Sequence, residues 1–210
     1  AAVMIARAAA CPDKDKADLI YRMIVLGLHL KDGHRITGML GDPVMQRMFE
    51  LGRKAGNIAM RYIEIIRFQE LDSGALLAVI DPEADVLALI APHFSNRLPL
   101  ENWMIYDRRR QKAVIHPAGK GWFLVEEVDE RSVLEAEMSH EEAWYGELWK
   151  CFFKTLTIEA RVNQKLQTSL IPLKYRDFMK EFQNESLRED CEKCQNKETK
   201  QEYEKQISQE

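Results

Sequence analysis

Apolar residues recur at steps of three and four at both ends of the chain and in short alternating or continuous blocks between them. That order predicts helices, then strands, then helices. Ala1 to Ala10 is helix-forming from its first residue, and Cys11-Pro12-Asp13 breaks it. Asp15 to Leu30 resumes with Leu19, Ile20, Met23, Ile24 and Leu26 at helical spacing, and Gly33 ends it. Asp42-Pro43 reads as a helix start, with the carboxylate as N-cap and proline at the first helical position. Val44, Met48, Leu51, Ala55, Ile58 and Tyr62 follow at steps of three or four, which assigns one face of that helix to a core.

From Ile63 the pattern changes. Ile65 to Leu71 and Ala75 to Ile80, separated by Asp72-Ser73-Gly74, predict a β-hairpin. Val86 to Phe94 predicts a short apolar helix, closed by Pro99. Trp103 to Asp107, Ala113 to His116 and Trp122 to Glu127 predict three more strands, with connections short enough to make consecutive strands antiparallel neighbours. Ser139-His140-Glu141-Glu142 has the S-x-x-E form of a capping box. Behind it Trp144, Leu148, Trp149, Phe152, Phe153 and Leu156 form an aromatic stripe expected to lie in a core rather than around a cofactor. Arg161 to Leu170 and Lys174 to Phe182 predict two shorter helices around Pro172. The expected fold is α+β over residues 1–182: N-terminal helices (1–62), a five-stranded antiparallel meander with one inserted helix (63–128), and C-terminal helices (139–182).

Composition adjusts this picture at the ends. With 210 residues, 46% of them hydrophobic, the chain suffices for one core or a tight pair of subdomains. Its longest apolar run falls far short of the roughly 18–20 residues of a membrane span, and no signal-peptide pattern opens it, so a soluble cytoplasmic protein without a membrane partner is expected. The formal charge of −4 excludes a protein that coats nucleic acid by bulk charge, yet the charge is unevenly spread. Residues 183–210 carry −3 of the −4 and almost no apolar side chains beyond Leu187, Tyr203 and Ile207. Such a segment buries too little to offset its ordering entropy, and it reads as a frayed or disordered acidic tail. Its Cys191 and Cys194 have C-x-x-C spacing but lack the second pair of a zinc site and the strand-to-helix junction of a redox site. Cys11 is expected at the surface and Cys151 on a helix face. The helix-forming start without methionine reads as a fragment that opens inside a helix.

Searches for a glycine-rich phosphate loop, H-E-x-x-H and G-x-S-x-G all fail, which weighs against common nucleotide hydrolases, zincins and α/β-hydrolases. No metal or cofactor is expected. What remains are polar residues where apolar ones would fit. Arg67 stands among Ile65, Ile66 and Phe68 with Glu70 three residues on, so in a regular strand the two point to opposite faces and one points inward. His93 and Arg97 share a helix face if that helix runs far enough. Asp107 ends an apolar strand, and Arg161 and Asn163 open a helix. A functional reading gathers these into a pocket where arginines meet an anion and His93 with Asp107 handles a proton. A structural reading makes them ion pairs and caps holding helix to sheet. Arg108-Arg109-Arg110 with Lys112 is the densest positive spot, either a phosphate contact or a solvated turn protecting a sheet edge.

Arg67-Phe-Gln-Glu70, Pro92-His-Phe-Ser-Asn-Arg97, Trp103-Met-Ile-Tyr-Asp107-Arg-Arg-Arg110, Leu148-Trp-Lys-Cys-Phe-Phe153 and Ile158-Glu-Ala-Arg-Val-Asn163, in this order, resemble a bacterial family of DNA metabolism and DNA repair proteins that shares domain of unknown function 4130. The resemblance covers residues 15–182. It implies a neighbouring radical SAM protein as partner, and the same domain occurs fused to uracil-DNA glycosylase domains; both associations point to DNA without giving this domain a reaction. The family's characteristic polar positions fall here on Arg67, Glu70, His93, Arg97, Asp107, Arg161 and Asn163. Glu64-Ile65 departs from the glycine and aromatic that often precede Arg67 in the family. With the placement of the arginines, the roles expected are DNA or nucleotide contact through Arg67, Arg97, Arg108, Arg109, Arg110 and Arg161, and, on the residue reading alone, acid–base work by His93 with Asp107 and orientation by Glu70 and Asn163. The alternatives are an enzyme acting on a nucleotide or damaged base, and a protein-interaction module without catalysis.

Overall fold

The computed structural model describes residues 1–134, 139, 142, 144–146, 148, 149, 155–157, 163–176, 179 and 182. The chain divides into two units, one of residues 1–68 and 74–136 and one of residues 69–73 and 137–210.

In the first unit, α1 (Ala2–Ala10), α2 (Lys16–His29) and α3 (Pro43–Ile65) pack on one another, with a 3-10 turn at Gly33–Gly38 between α2 and α3. Asp42 starts α3 as its pattern predicts: Oδ1 accepts the amides of Val44 at 2.8 Å and Met45 at 3.2 Å, and Pro43 follows at the first position. These contacts satisfy two amides that a helix start otherwise leaves free. The buried face of α3 is Met45, Met48, Leu51, Ala55, Ala59 and Tyr62. Ile65 extends it by one step, so the helix runs on where a strand is expected, and only Gln69–Glu70 is strand (β1). Helical burial of Tyr62 and Ile65 outweighs the β-branched run at Ile63, Ile65 and Ile66. Arg67 consequently lies outside any strand, and both Arg67 and Glu70 are exposed, so neither points inward.

Strands β2 (Leu76–Ile80), β3 (Trp103–Asp107), β4 (Lys112–His116) and β5 (Phe123–Val125) of this unit lie side by side in chain order. Their sheet is mixed rather than wholly antiparallel. β2 and β3 run parallel, Leu76 opposite Trp103 through Ile80 opposite Asp107. The cause is α4 (Leu87–Arg97), which carries the chain back to the starting end of the sheet between the two strands, as a parallel pair requires. β3–β4 and β4–β5 are antiparallel, joined by short turns, as expected. Between helices and sheet lie Leu87, Ile90 and Ala91 of α4 with Ile105 and Val114, all fully buried. A short helix, α5 (Glu130–Leu134), follows the sheet.

Cys11 is buried rather than at the surface. Its thiol donates to Oδ2 of Asp13 at 3.0 Å, and burial pushes the thiol's pKa up. Lys54 holds the same carboxylate at 3.1 Å, so chain break and helix α3 are tied at one point.

In the second unit, the amide of Ser139 donates to the Glu70 carbonyl at 3.0 Å, and its hydroxyl accepts the Glu142 amide at 3.1 Å, one half of the expected capping box. Asn163 caps helix Gln164–Leu170 by accepting the Leu166 amide at 3.0 Å, and Leu173–Arg176 follows. Trp144, Leu148, Trp149 and Leu156 are exposed, so these members of the aromatic stripe do not form a core. Trp144 packs edge-on against its neighbour Tyr145 at 5.1 Å instead. Phe152, Phe153, Cys151, Arg161 and the acidic tail with Cys191 and Cys194 lie outside the described residues. Among the described residues no helix is long and apolar enough to cross a membrane.

Candidate functional site

The polar residues of the first unit gather at the two ends of β3. At its end, Asp107 is fully buried. One carboxylate oxygen accepts the amides of Arg109 at 3.0 Å and Arg110 at 3.3 Å; the other accepts Nη1 of Arg110 at 2.9 Å. Arg110 reaches on to the carbonyls of Pro82 at 3.0 Å and Glu83 at 2.7 Å, fastening the turn to the segment that leads into α4. Burial pushes the Asp107 carboxyl up from its ordinary range, with Arg110 pulling against it.

The rest of the arginine tip is tied as well. Arg109 grips Asp81 through Nε at 2.7 Å and Nη2 at 3.2 Å, Arg108 donates to Glu130 at 2.6 Å, and Lys112 donates to Glu126 at 2.8 Å. Every cation of this dense positive spot thus holds a carboxylate, and its field is largely cancelled at short range. Asp107, fully buried, with Arg110 and the exposed Arg109 forms a clamp that shapes a hairpin turn and pins it to the crossover.

At the start of β3, three rings meet: Phe68, just past α3, lies 5.3 Å from Phe94 and 6.2 Å from Trp103. His116, opposite Trp103 in the antiparallel register, stacks on it at 4.9 Å with planes 2° apart. Its Nδ1 lies 3.1 Å from the Glu101 carbonyl, which fixes the proton on that nitrogen as donor. His116 is nearly fully buried, and sequence reasoning treats it only as a strand end. The signal for it is a histidine placed cross-strand from a tryptophan.

On the outer side of this corner, α4 runs through Pro92 to Arg97, so His93 and Arg97 do share a helix face, one turn apart. Both are exposed. The imidazole lies edge-on to Phe94 at 5.1 Å, and the Arg97 guanidinium has no hydrogen bond or ion pair among the described residues. Arg67 stands next to Phe68, exposed, with Nη1 3.3 Å from the carbonyls of Glu64 and Ile66. The corner therefore presents an imidazole, an unpaired guanidinium and a second arginine around an aromatic base, which suits a phosphate beside a flat ring.

The structure does not bring His93 and Asp107 together. His93 sits by Phe94, which touches Trp103 at the opposite end of the strand from Asp107, and five residues of strand span about 13 Å between those ends. Glu70 and Asn163 belong to the second unit, where Asn163 serves as a helix cap. Among the described residues no three histidine, cysteine or acidic side chains form a metal-holding group.

A family model described as a domain of unknown function, DUF4130, matches residues 14–181. No curated protein and no solved structure matches the chain.

Proposed function

The chain belongs to the DUF4130 family, and from that premise we propose that it is a DNA repair or DNA metabolism accessory protein of the cytoplasm that works beside a radical SAM enzyme and contacts DNA or a nucleotide at the corner formed by His93, Arg97 and Arg67. The observation that carries the contact is the Arg97 guanidinium, exposed and without a partner among the described residues, one helical turn from an exposed imidazole. The arginine tip takes a lesser part because its guanidinium groups are already occupied by carboxylates. Acid–base work would fall to His93 without Asp107 as its partner. The resemblance of the five sequence motifs supplies the DNA context and the radical SAM partner.

Fluorescence anisotropy with labelled single- and double-stranded oligonucleotides at low salt tests this, because phosphate contacts are strongest there. Saturable binding that weakens in Arg97→Glu is expected. Undetectable binding of both forms removes the DNA contact.

A second reading, a module that docks a protein, draws on the exposed Trp144, Leu148 and Trp149 at helical spacing. Co-expression with a radical SAM partner that improves the solubility of both chains, and loses that effect in Trp149→Glu, is its expected outcome.

A further inference from the structure

A second polar feature of the first unit lies away from β3, between α1 and α3. One face of α3, formed by Phe49, Gly52, Arg53, Gly56, Asn57 and Met60, looks across at Val3, Met4 and Arg7 of α1 and encloses an open cleft of about 500 Å³, with Thr37 of the 3-10 turn at its edge. That volume is in the range of small-molecule sites, roughly 300–1,000 Å³.

Arg7 lies along the floor beside two glycines. A Cβ placed at Gly52 would stand 3.7 Å from Arg7 Cβ, and one at Gly56 would stand 3.9 Å from Arg7 Nη1. The side chain therefore runs along α3 from one glycine to the next, with its guanidinium over Gly56. Larger residues at those two positions would fill the floor of the cleft.

The charge of the cleft is one-sided. Among the described residues no acidic side chain lines it, and Arg7, Arg53 and Asn57 make no hydrogen bond or ion pair there. Elsewhere Arg22, Arg47, Arg61, Arg108, Arg109 and Arg110 each hold a carboxylate. Two unpaired guanidinium groups facing one cleft leave a charge that a dianion would match, and planar forks of donors suit phosphate oxygens. The walls are of the opposite character. Phe49, Met60 and Val3 are apolar yet exposed by 36%, 57% and 68%, and methionine thioethers and a phenyl ring pack well against a flat ring system.

We propose that this cleft binds a small organic phosphate with a flat apolar body, of the nucleoside monophosphate class, its phosphate between Arg7 and Arg53 and its ring against Phe49 and Met60. Residues 1–10 lie outside the span that the family model matches, so the site combines the family domain with a helix from outside it. It uses none of the residues of the corner at His93 and does not depend on DNA contact there.

Titration calorimetry of the full chain with AMP tests the site, with adenosine and inorganic phosphate as separate arms. Saturable AMP binding is expected, with adenosine and phosphate each at least about tenfold weaker, and with loss of at least about tenfold in Arg53→Glu and in Arg7→Glu. Arg53 is exposed and mid-helix, so circular dichroism of Arg53→Glu should match the parent. Absence of saturable binding up to about 10 mM AMP, some −2.7 kcal/mol at the 1 M standard state, overturns the proposal. Equal binding by Arg53→Glu, or inorganic phosphate binding as tightly as AMP, overturns it as well.

Discussion

Arg110 donates to the buried Oδ2 of Asp107 at 2.9 Å across a turn that the other oxygen of the same carboxylate closes by accepting the amides of Arg109 and Arg110. One side chain therefore sets both the turn and the direction of the arginine. Asp107→Ala removes three acceptor contacts and takes the side-chain acceptor from two part-buried amides. Because Arg110 keeps some access to water, the loss should be about 2–3 kcal/mol rather than the full cost of an orphaned buried charge. Asp107→Asn keeps a carbonyl oxygen for the amides, and should cost about 1 kcal/mol. Urea unfolding of the two variants at neutral pH gives the comparison; equal losses would show that the charge, and not the turn, holds this corner.

The same carboxyl makes a pH prediction with a definite sign. Its folded pKa is raised above the ordinary value, chiefly by burial. In the window between the two values the folded state keeps a proton that the unfolded chain releases. Stability conferred by Asp107 is therefore greatest below the ordinary carboxylate range and declines as pH rises through the folded value. The advantage of the parent over Asp107→Asn should narrow as pH rises through and above the ordinary carboxylate range. Parallel urea melts across that range check it, and an advantage that widens with pH would contradict the raised value.

How much of the fold is legible in sequence depends on the interaction that decides each element. Asp42-Pro43 acts locally, through a side-chain oxygen and the amides two or three residues on, and a cap of that kind is readable, whereas Asn163, expected inside a helix from Arg161, proves to cap one that starts at Gln164. Trp103–Asp107 coincides with its expected span because a short apolar run between turns has few other fates. The inserted helix is visible too, but its consequence, the parallel pairing of Leu76 with Trp103, follows only when that helix is treated as a crossover. The end of α3 and the burial of Cys11 are hidden because both are settled by packing against distant residues. The polar residues are legible one by one and not as a grouping: Arg67 adjoins Phe68, which packs on Phe94 of the helix that carries His93 and Arg97, whereas Asp107 serves a turn at the other end of the strand.

That separation makes the arginines unequal toward a phosphate backbone. Arg109 would have to release Asp81, which it holds at 2.7 Å, before meeting a new anion. Arg97 has no such bond to give up among the described residues. Arg97→Ala should weaken oligonucleotide binding about three- to tenfold and lower the salt slope by about one. Arg109→Ala should change affinity by less than about twofold. Anisotropy titrations at several salt concentrations supply both numbers. A larger loss in Arg109→Ala would move the contact to the tip.

The corner itself depends on a stacked pair whose parts are separable by mutation. His116 is held by its ring, 4.9 Å from Trp103 and nearly parallel to it, and by Nδ1, 3.1 Å from the Glu101 carbonyl. His116→Ala loses both and opens a cavity beside Trp103, so it should cost about 2–4 kcal/mol. His116→Phe keeps a ring in place and loses only the bond to Glu101, which should cost about 1 kcal/mol. Urea melts followed by far-UV circular dichroism measure the costs, and near-UV circular dichroism reports whether Trp103 keeps an ordered ring partner. If His116→Phe costs as much as His116→Ala, the hydrogen bond rather than the stack fixes the start of β3, and with it the position of the α4 turn that presents His93 and Arg97.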